Sequence, residues 1–367
     1  MKSRQWLAVS AVAGTLAVGV AACGSSNDNG SNAATGGTGS GGNASGTVNG
    51  AGSTLAQPIY QQWGSDLKGQ GITVNYQGVG SGAGVASFAA GTADFAASDP
   101  ALTPDDVKTI KKSPPLQIPT VFGAITVSYN VSGVDKGLKL DGKTIADIFL
   151  GKVKKWNDPE IAGQNSGVNL PDANITVVHR SDESGTTKGF TGFLSAYSPE
   201  WEKNVGSDKT VKWPTGTGAK GNDGVAAAVK QTEGSVGYVE EAYALQNNFT
   251  TADVKNKSGK YIEPTLESTS AAGENVKVGP DLGFTAIDSP NPAAYPIVSQ
   301  TFIMVHKDLC KGGMSPGNAK AMVAFLNYGL GQGQEVAKKL FYAPLPAGLL
   351  SKSKAQVTKL TCNGSAV

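Results

Sequence analysis

Three times this chain sets a loop of small, hydroxyl-bearing residues directly in front of a helical pattern, and that arrangement limits its folds more than any other feature. Gly50-Ala51-Gly52-Ser53-Thr54 precedes Leu55, Ile59, Trp63 and Leu67, spaced by four. Gly78 to Gly84 follows the alternating Ile72, Val74 and Tyr76 and precedes a helical run over 85–90. Arg180 to Thr186 follows the extended Ile175, Val177 and Val178 and opens a helix over 187–197, with Phe190, Phe193 and Leu194 on one face. Strand, polar loop and helix in succession is the grammar of an α/β fold built on parallel strands. The first turn of each helix exposes unpaired N–H groups at the positive end of the helix dipole, which outlines an anion site. One such loop is an ordinary N-cap. Three of them, with Arg180 and the Ala97-Ser98-Asp99-Pro100 turn, point to one convergent site.

The alternation continues along the chain. Residues 94–97 read as extended, and Thr103-Pro104-Asp105-Asp106 reads as a capped helix start whose helix Lys111 and Lys112 should close. Extended 121–127 follows, and further strands and helices are expected over 144–150, 175–178, 225–230, 236–239, 297–305 and 318–328. Glycine and proline mark loops at 216–224 and 288–296. No internal repeat is visible. About 320 residues from Thr47 onward exceed what one hydrophobic core usually organises, so two domains are expected.

Residues 1–22 read as a cleaved signal: Lys2 and Arg4, then an apolar run from Trp6 to Val20 too short and glycine-interrupted to span a membrane. Val20-Ala21-Ala22-Cys23 resembles a bacterial lipobox, which implies that Cys23 carries lipid on the outer face of the cell membrane. The linker 23–46 is expected to be flexible coil: eight of the 23 residues from Gly24 to Gly46 are glycine. The chain holds 31 Lys+Arg against 29 Asp+Glu, and losing Lys2 and Arg4 leaves 29 of each sign. A neutral body has no basic stripe for nucleic acid. Cys310 and Cys362 remain for a disulfide in an exported protein. His179 and His306 lack metal-type spacing, so neither a metal nor a cofactor is expected.

Longer matches carry a family resemblance. Gly50 to Thr54, Asn75 to Gly82, Asp94 to Asp99, Arg180 to Thr186, Lys220 to Gly224, Leu140 to Thr144, Lys154-Lys155-Trp156 and Val236 to Glu240 resemble, in order and spacing, the PstS family of phosphate-binding proteins of bacterial phosphate ABC transporters. The resemblance runs from about Gly50 to about Ala343. It implies an α/β, two-lobed periplasmic-binding-protein fold of the class II type, with the ligand cleft between lobes and two hinge crossovers near Phe122 and Pro296. The lobes are then 47–122 with 296–367, and 123–295. Position by position, it implies phosphate contacts from Thr54, Leu55 (through its backbone), Ser81, Asp99, Arg180, Ser184, Gly185 and Thr186, with Asp182 holding the arginine. It further implies a monomer that delivers phosphate to a permease driven by a separate ATPase. Leu55 stands where the family often has phenylalanine, and Glu183 where glycine is usual; Glu183 is expected to face solvent.

The residues themselves explain how such a site selects. Helix N-termini and hydroxyls donate to any tetrahedral oxyanion and cannot separate phosphate from sulfate. An acceptor can, because phosphate near neutral pH still carries a proton that Asp99 could accept. Sulfate would meet a buried carboxylate with nothing between, at several kcal/mol, roughly a thousandfold in affinity. The rival readings are a serine hydrolase or phosphatase using Ser184, or a surface adhesion or sensing lipoprotein on the same fold. Ser65-Asp66-Leu67-Lys68 fits S-x-x-K, but no S-D-N follows and no Gly-x-Ser-x-Gly surrounds Ser184.

Overall fold

The structure, a computed structural model, describes residues 44–367. The expected signal, Cys23 and the linker up to residue 43 lie outside them. Gly46, the last residue of the expected linker, already belongs to a strand, its N–H donating to the Gly71 carbonyl (3.1 Å). Among the described residues no helix is long and apolar enough to cross a membrane.

Eight strands run across the molecule in the order Ile72–Gly78, Gly46–Gly52, Phe95–Ser98, Val298–His306, Pro115–Asn130, Ser235–Glu240, Thr176–Arg180, Thr217–Ala219. They form two lobes that share one strand. Pro115–Asn130 is 16 residues long. Residues 115–124 pair with Val298–His306 in the first lobe, and residues 125–130 pair with Ser235–Glu240 in the second, changing partner between Ala124 and Ile125. The return passage lies beside it, where the Ile125 N–H donates to the Ile297 carbonyl (2.7 Å).

The outer pairs of each sheet are parallel, but both pairings of the shared strand are antiparallel. The expectation of parallel sheets therefore holds only on the flanks. A chain that passes from one lobe to the other and later returns must run the second passage in the opposite sense. Periodicity revealed only 121–127 of the long strand because Pro115, Gln117 and Pro119 interrupt its apolar pattern. Pro119 faces the register shift between Thr301 and Phe302, where a missing N–H is tolerated.

Gly46–Gly52 is a buried strand between two neighbours, although Gly50-Ala51-Gly52 reads as loop. A Cβ on Gly50 would fall 2.0 Å from the Phe95 ring, and one on Gly52 would fall 2.0 Å from the Ala97 carbonyl oxygen. Glycine serves close approach here. The following helix, Gln57–Leu67, starts beyond Leu55 and buries Ile59, Tyr60, Trp63 and Leu67. The helix at Thr103 forms with its capping box but ends at Thr109, so Lys111 and Lys112 lie past it. Cys310 and Cys362 are disulfide-bonded, 52 residues apart, near the C-terminus.

Candidate functional site

The first-lobe wall is built at the carboxyl ends of three parallel strands. Thr54 sits in the turn after Gly46–Gly52, Ser81 opens the helix Ser81–Ala90 after Ile72–Gly78, and Asp99 follows Phe95–Ser98. All three side chains are buried. Asp99 is held by its backbone: its carbonyl accepts from Gln300 Nε2 (2.7 Å) and its N–H reaches Ser81 Oγ (3.4 Å). Neither carboxylate oxygen has a hydrogen-bond partner. Burial raises its pKa from 3.8 to about 6, opposed by the nearby hydroxyls of Ser53 and Thr301 and by the Arg180 charge. A buried acceptor of this kind suits a ligand that brings its own proton.

The second-lobe wall is the loop between Thr176–Arg180 and the helix Gly185–Tyr197. Arg180 is 2% exposed. Its guanidinium grips Asp182 in a two-pronged pair, Nε to Oδ1 at 2.7 Å and Nη2 to Oδ2 at 2.5 Å, and leaves Nη1 at 3.4 Å from Thr186 Oγ1. Burial alone would raise the Asp182 pKa, but the Arg180 bond and charge, with the Gly221 N–H, bring it below the ordinary value. Ser184 caps the helix, its Oγ accepting from the Thr187 N–H at 3.0 Å, while its own N–H is taken by the Lys209 carbonyl (2.9 Å). Among the described residues no acceptor faces the N–H groups of Gly185 and Thr186, the first two of the helix.

The lobes meet along a seam that only glycine permits. A Cβ on Gly185 would lie 2.4 Å from Asp99 Oδ2 and 2.5 Å from Ser81 Oγ. On the other side, Gly80 and Gly82 abut Asp182 and Glu183. Glu183 is exposed, and its carbonyl accepts from the Gly82 N–H across the seam (3.1 Å). Its side chain lies over Gly82 at the rim, with Oε2 1.8 Å from where a Cβ would stand. At the same rim Lys209 reaches Asp106 of the first lobe at 3.8 Å.

Thr54, Ser81, Asp99, Arg180, Gly185 and Thr186 thus come together with donors and one acceptor facing each other. Leu55 differs from its expected use: its N–H donates to Ser53 Oγ (3.0 Å) and its side chain is in the core. An anion could receive that N–H only by sharing it with Ser53. Asn222 is a member that the residue-by-residue reading did not include. Fully buried, it donates Nδ2 to Thr54 Oγ1 (2.9 Å) and to Thr186 Oγ1 (3.4 Å), tying the two walls. Lys220 to Gly224 repeats the small-residue loop before a helix, and that fourth instance was the available signal. The nearest open space, a groove of about 400 Å³, meets the site only at Gly185; Thr54, Ser81, Asp99 and Arg180 do not line it.

Both histidines are engaged elsewhere. His179 stacks on Trp213 and bonds the Arg180 carbonyl, and His306 packs on Phe88 and bonds the Ser113 carbonyl. Neither bonds Ser184. Among the described residues no group of three or more His, Cys, Asp or Glu could hold a metal.

A closed two-lobed clamp whose walls present oxyanion donors and a single acceptor is a ligand-binding protein. Residues 37–331 match the family described as PBP superfamily domain. The phosphate-binding protein PstS of Pasteurella multocida is 44% identical over 314 residues, which cover 84% of this chain and 89% of that protein. The phosphate-binding protein PstS of Haemophilus influenzae is 41% identical over 314 residues, covering 84% and 92%. A solved high-affinity periplasmic phosphate-binding protein bound with phosphate shares the fold at TM-score 0.71 and 24% identity, covering 84% of this chain and 93% of that one. The chain belongs to the PBP superfamily and, within it, to the PstS family of phosphate-binding proteins.

Proposed function

We propose that this chain captures inorganic phosphate with high affinity between its lobes and delivers it to an ABC-type import permease driven by a separate ATPase. The observation that carries this reading is the buried Asp99 carboxylate without a donor, set opposite Arg180 and the free N–H groups of the Gly185 helix. One phosphate proton satisfies Asp99, and its other oxygens take the donors of Thr54, Ser81, Arg180, Ser184, Gly185 and Thr186, with a shared contact from the Leu55 N–H. Asp182 neutralises and orients Arg180. The site binds and releases without transforming its ligand, and neither histidine bonds Ser184.

The resemblance divides the body into 47–122 with 296–367, and 123–295, two residues short of where the shared strand changes partner, and closure about these hinges is the working motion. Lipid on Cys23, after removal of residues 1–22, tethers the body as a monomer outside the cell membrane. Calorimetry tests the reading: phosphate binds tightly and sulfate is nearly silent. Sulfate binding of similar strength would sink it. Turnover of a phosphate ester that Ser184→Ala abolishes would establish the hydrolase instead, and phosphate binding with no permease association would favour the sensing lipoprotein.

A further inference from the structure

Behind the clamp lies a second buried carboxyl group that phosphate does not reach. Glu240 ends the strand Ser235–Glu240 of the second lobe and is fully buried. Its carboxyl packs beside the shared strand: a Cβ on Gly123 would stand 3.3 Å from Glu240 Oε1 and 3.3 Å from Leu55 Cδ2. Oε1 has no partner, while Oε2 accepts from the Ala242 N–H (2.9 Å) and lies 3.0 Å from the Tyr342 hydroxyl. That hydroxyl also stands 2.7 Å from the Leu55 carbonyl oxygen. Tyr342 has one proton and faces two oxygens, and a backbone carbonyl cannot donate. Spending the proton on Leu55 leaves the Glu240 contact without one, unless Glu240 supplies it.

We propose that Glu240 is protonated in the closed protein and acts as a positioning residue, donating to Tyr342 so that Tyr342 can hold the Leu55 carbonyl and thereby set the Thr54–Leu55 turn for phosphate. Tyr243 braces the same turn from the second lobe, donating to the Thr54 carbonyl (2.7 Å). Every charge facing Glu240 favours the neutral form. Burial comes first, then Glu241 beside it in the chain, and Asp99 across the seam adds to both, against hydrogen bonds from Tyr342 and Ala242. Tyr243, also close, is uncharged at neutral pH. The effect on affinity rests on the phosphate-binding reading, whereas the proton itself does not.

The experiment has a spectroscopic arm and a binding arm. At neutral pH the unmodified chain and Glu240→Gln share every other carboxyl group, Asp99 and Glu241 included, so their difference isolates Glu240. The infrared difference between the unmodified chain and Glu240→Gln should then still contain the carbonyl band of a protonated carboxyl. In calorimetry, Glu240→Ala and Tyr342→Phe should each weaken phosphate binding about tenfold. Glu240→Gln, whose amide N–H can replace the carboxyl proton toward Tyr342 at the expense of the Ala242 bond, should lose only about threefold. No such infrared band, Gln as weak as Ala, or Tyr342→Phe with unchanged affinity overturns the proposal. If the unmodified chain fails to bind phosphate, the functional reading falls, and the infrared arm still decides the proton. The band needs only the unmodified chain and its isosteric variant, so a misfolded Ala variant leaves the test intact.

Discussion

Asp99 and Asp182 sit on opposite walls of the same cleft and have opposite electrostatic fates. Asp182 is gripped by two guanidinium nitrogens and its pKa is lowered; Asp99 is buried with no donor, and its pKa is raised to about 6. On the second-lobe wall the charge pair is complete without a ligand, because Arg180 and Asp182 satisfy each other. The first-lobe wall is incomplete, because its acceptor waits for a proton from outside. On the proposed reading, the contrast gives attraction to one wall and discrimination to the other.

The largest expected effect comes from breaking the completed wall. Arg180→Met should weaken phosphate binding by about 4 kcal/mol, roughly a thousandfold, because it removes the site's cation and leaves Asp182 facing the anion. Calorimetry checks it, and a loss below tenfold would place the attraction elsewhere. Next, Asp99→Asn should narrow the preference for phosphate over sulfate by about a hundredfold, since the amide can present N–H to either anion.

The same variant sharpens the comparison through stability. Between about pH 4 and 6 the folded chain keeps the Asp99 proton and the unfolded chain has lost it. Stability without ligand therefore falls as pH rises through that window, by on the order of 3 kcal/mol from this residue. Asp99→Asn should remove that slope in denaturant titrations. Asp182 has the opposite sign: its contribution is present at neutral pH and is lost on acidification below the ordinary aspartate range.

Gly185→Ala tests the seam. Its methyl would collide with Asp99 Oδ2, and closure should weaken by about 2 kcal/mol, roughly thirtyfold in affinity, with less compaction on adding phosphate in small-angle scattering. Asn222→Ala loosens the tie between Thr54 and Thr186 and should cost about 1 kcal/mol, near fivefold. Last, Cys310→Ser with Cys362→Ser should lower thermal stability, by on the order of 4 kcal/mol on chain-entropy grounds, while leaving phosphate affinity unchanged. A change in affinity would couple the C-terminus to the cleft.

Much of the site was legible because its parts are local. A hydroxyl-bearing loop opening a helix is written in consecutive residues, which is why Thr54, Ser81 and the stretch from Arg180 to Thr186 stand out. Asn222 escaped because its role is a bridge between walls, although its own loop follows the same pattern. Gly46–Gly52 escaped because glycine's local signal is a turn, whereas here glycine admits a neighbouring ring and carbonyl.

By itself the sequence determined the α/β class and the hydroxyl-bearing loops that open helices, with Arg180 in one of them and Asp99 in the turn over 97–100, since each depends on spacing within a few residues. Only the tertiary structure decided that the shared strand runs antiparallel to both partners, that Gly80, Gly82 and Gly185 form the seam, and that Asp99 is left without a donor while Asp182 is paired. Those outcomes turn on which distant groups come within about 3 Å of each other, the range over which hydrogen bonds and clashes act. No local pattern encodes that distance.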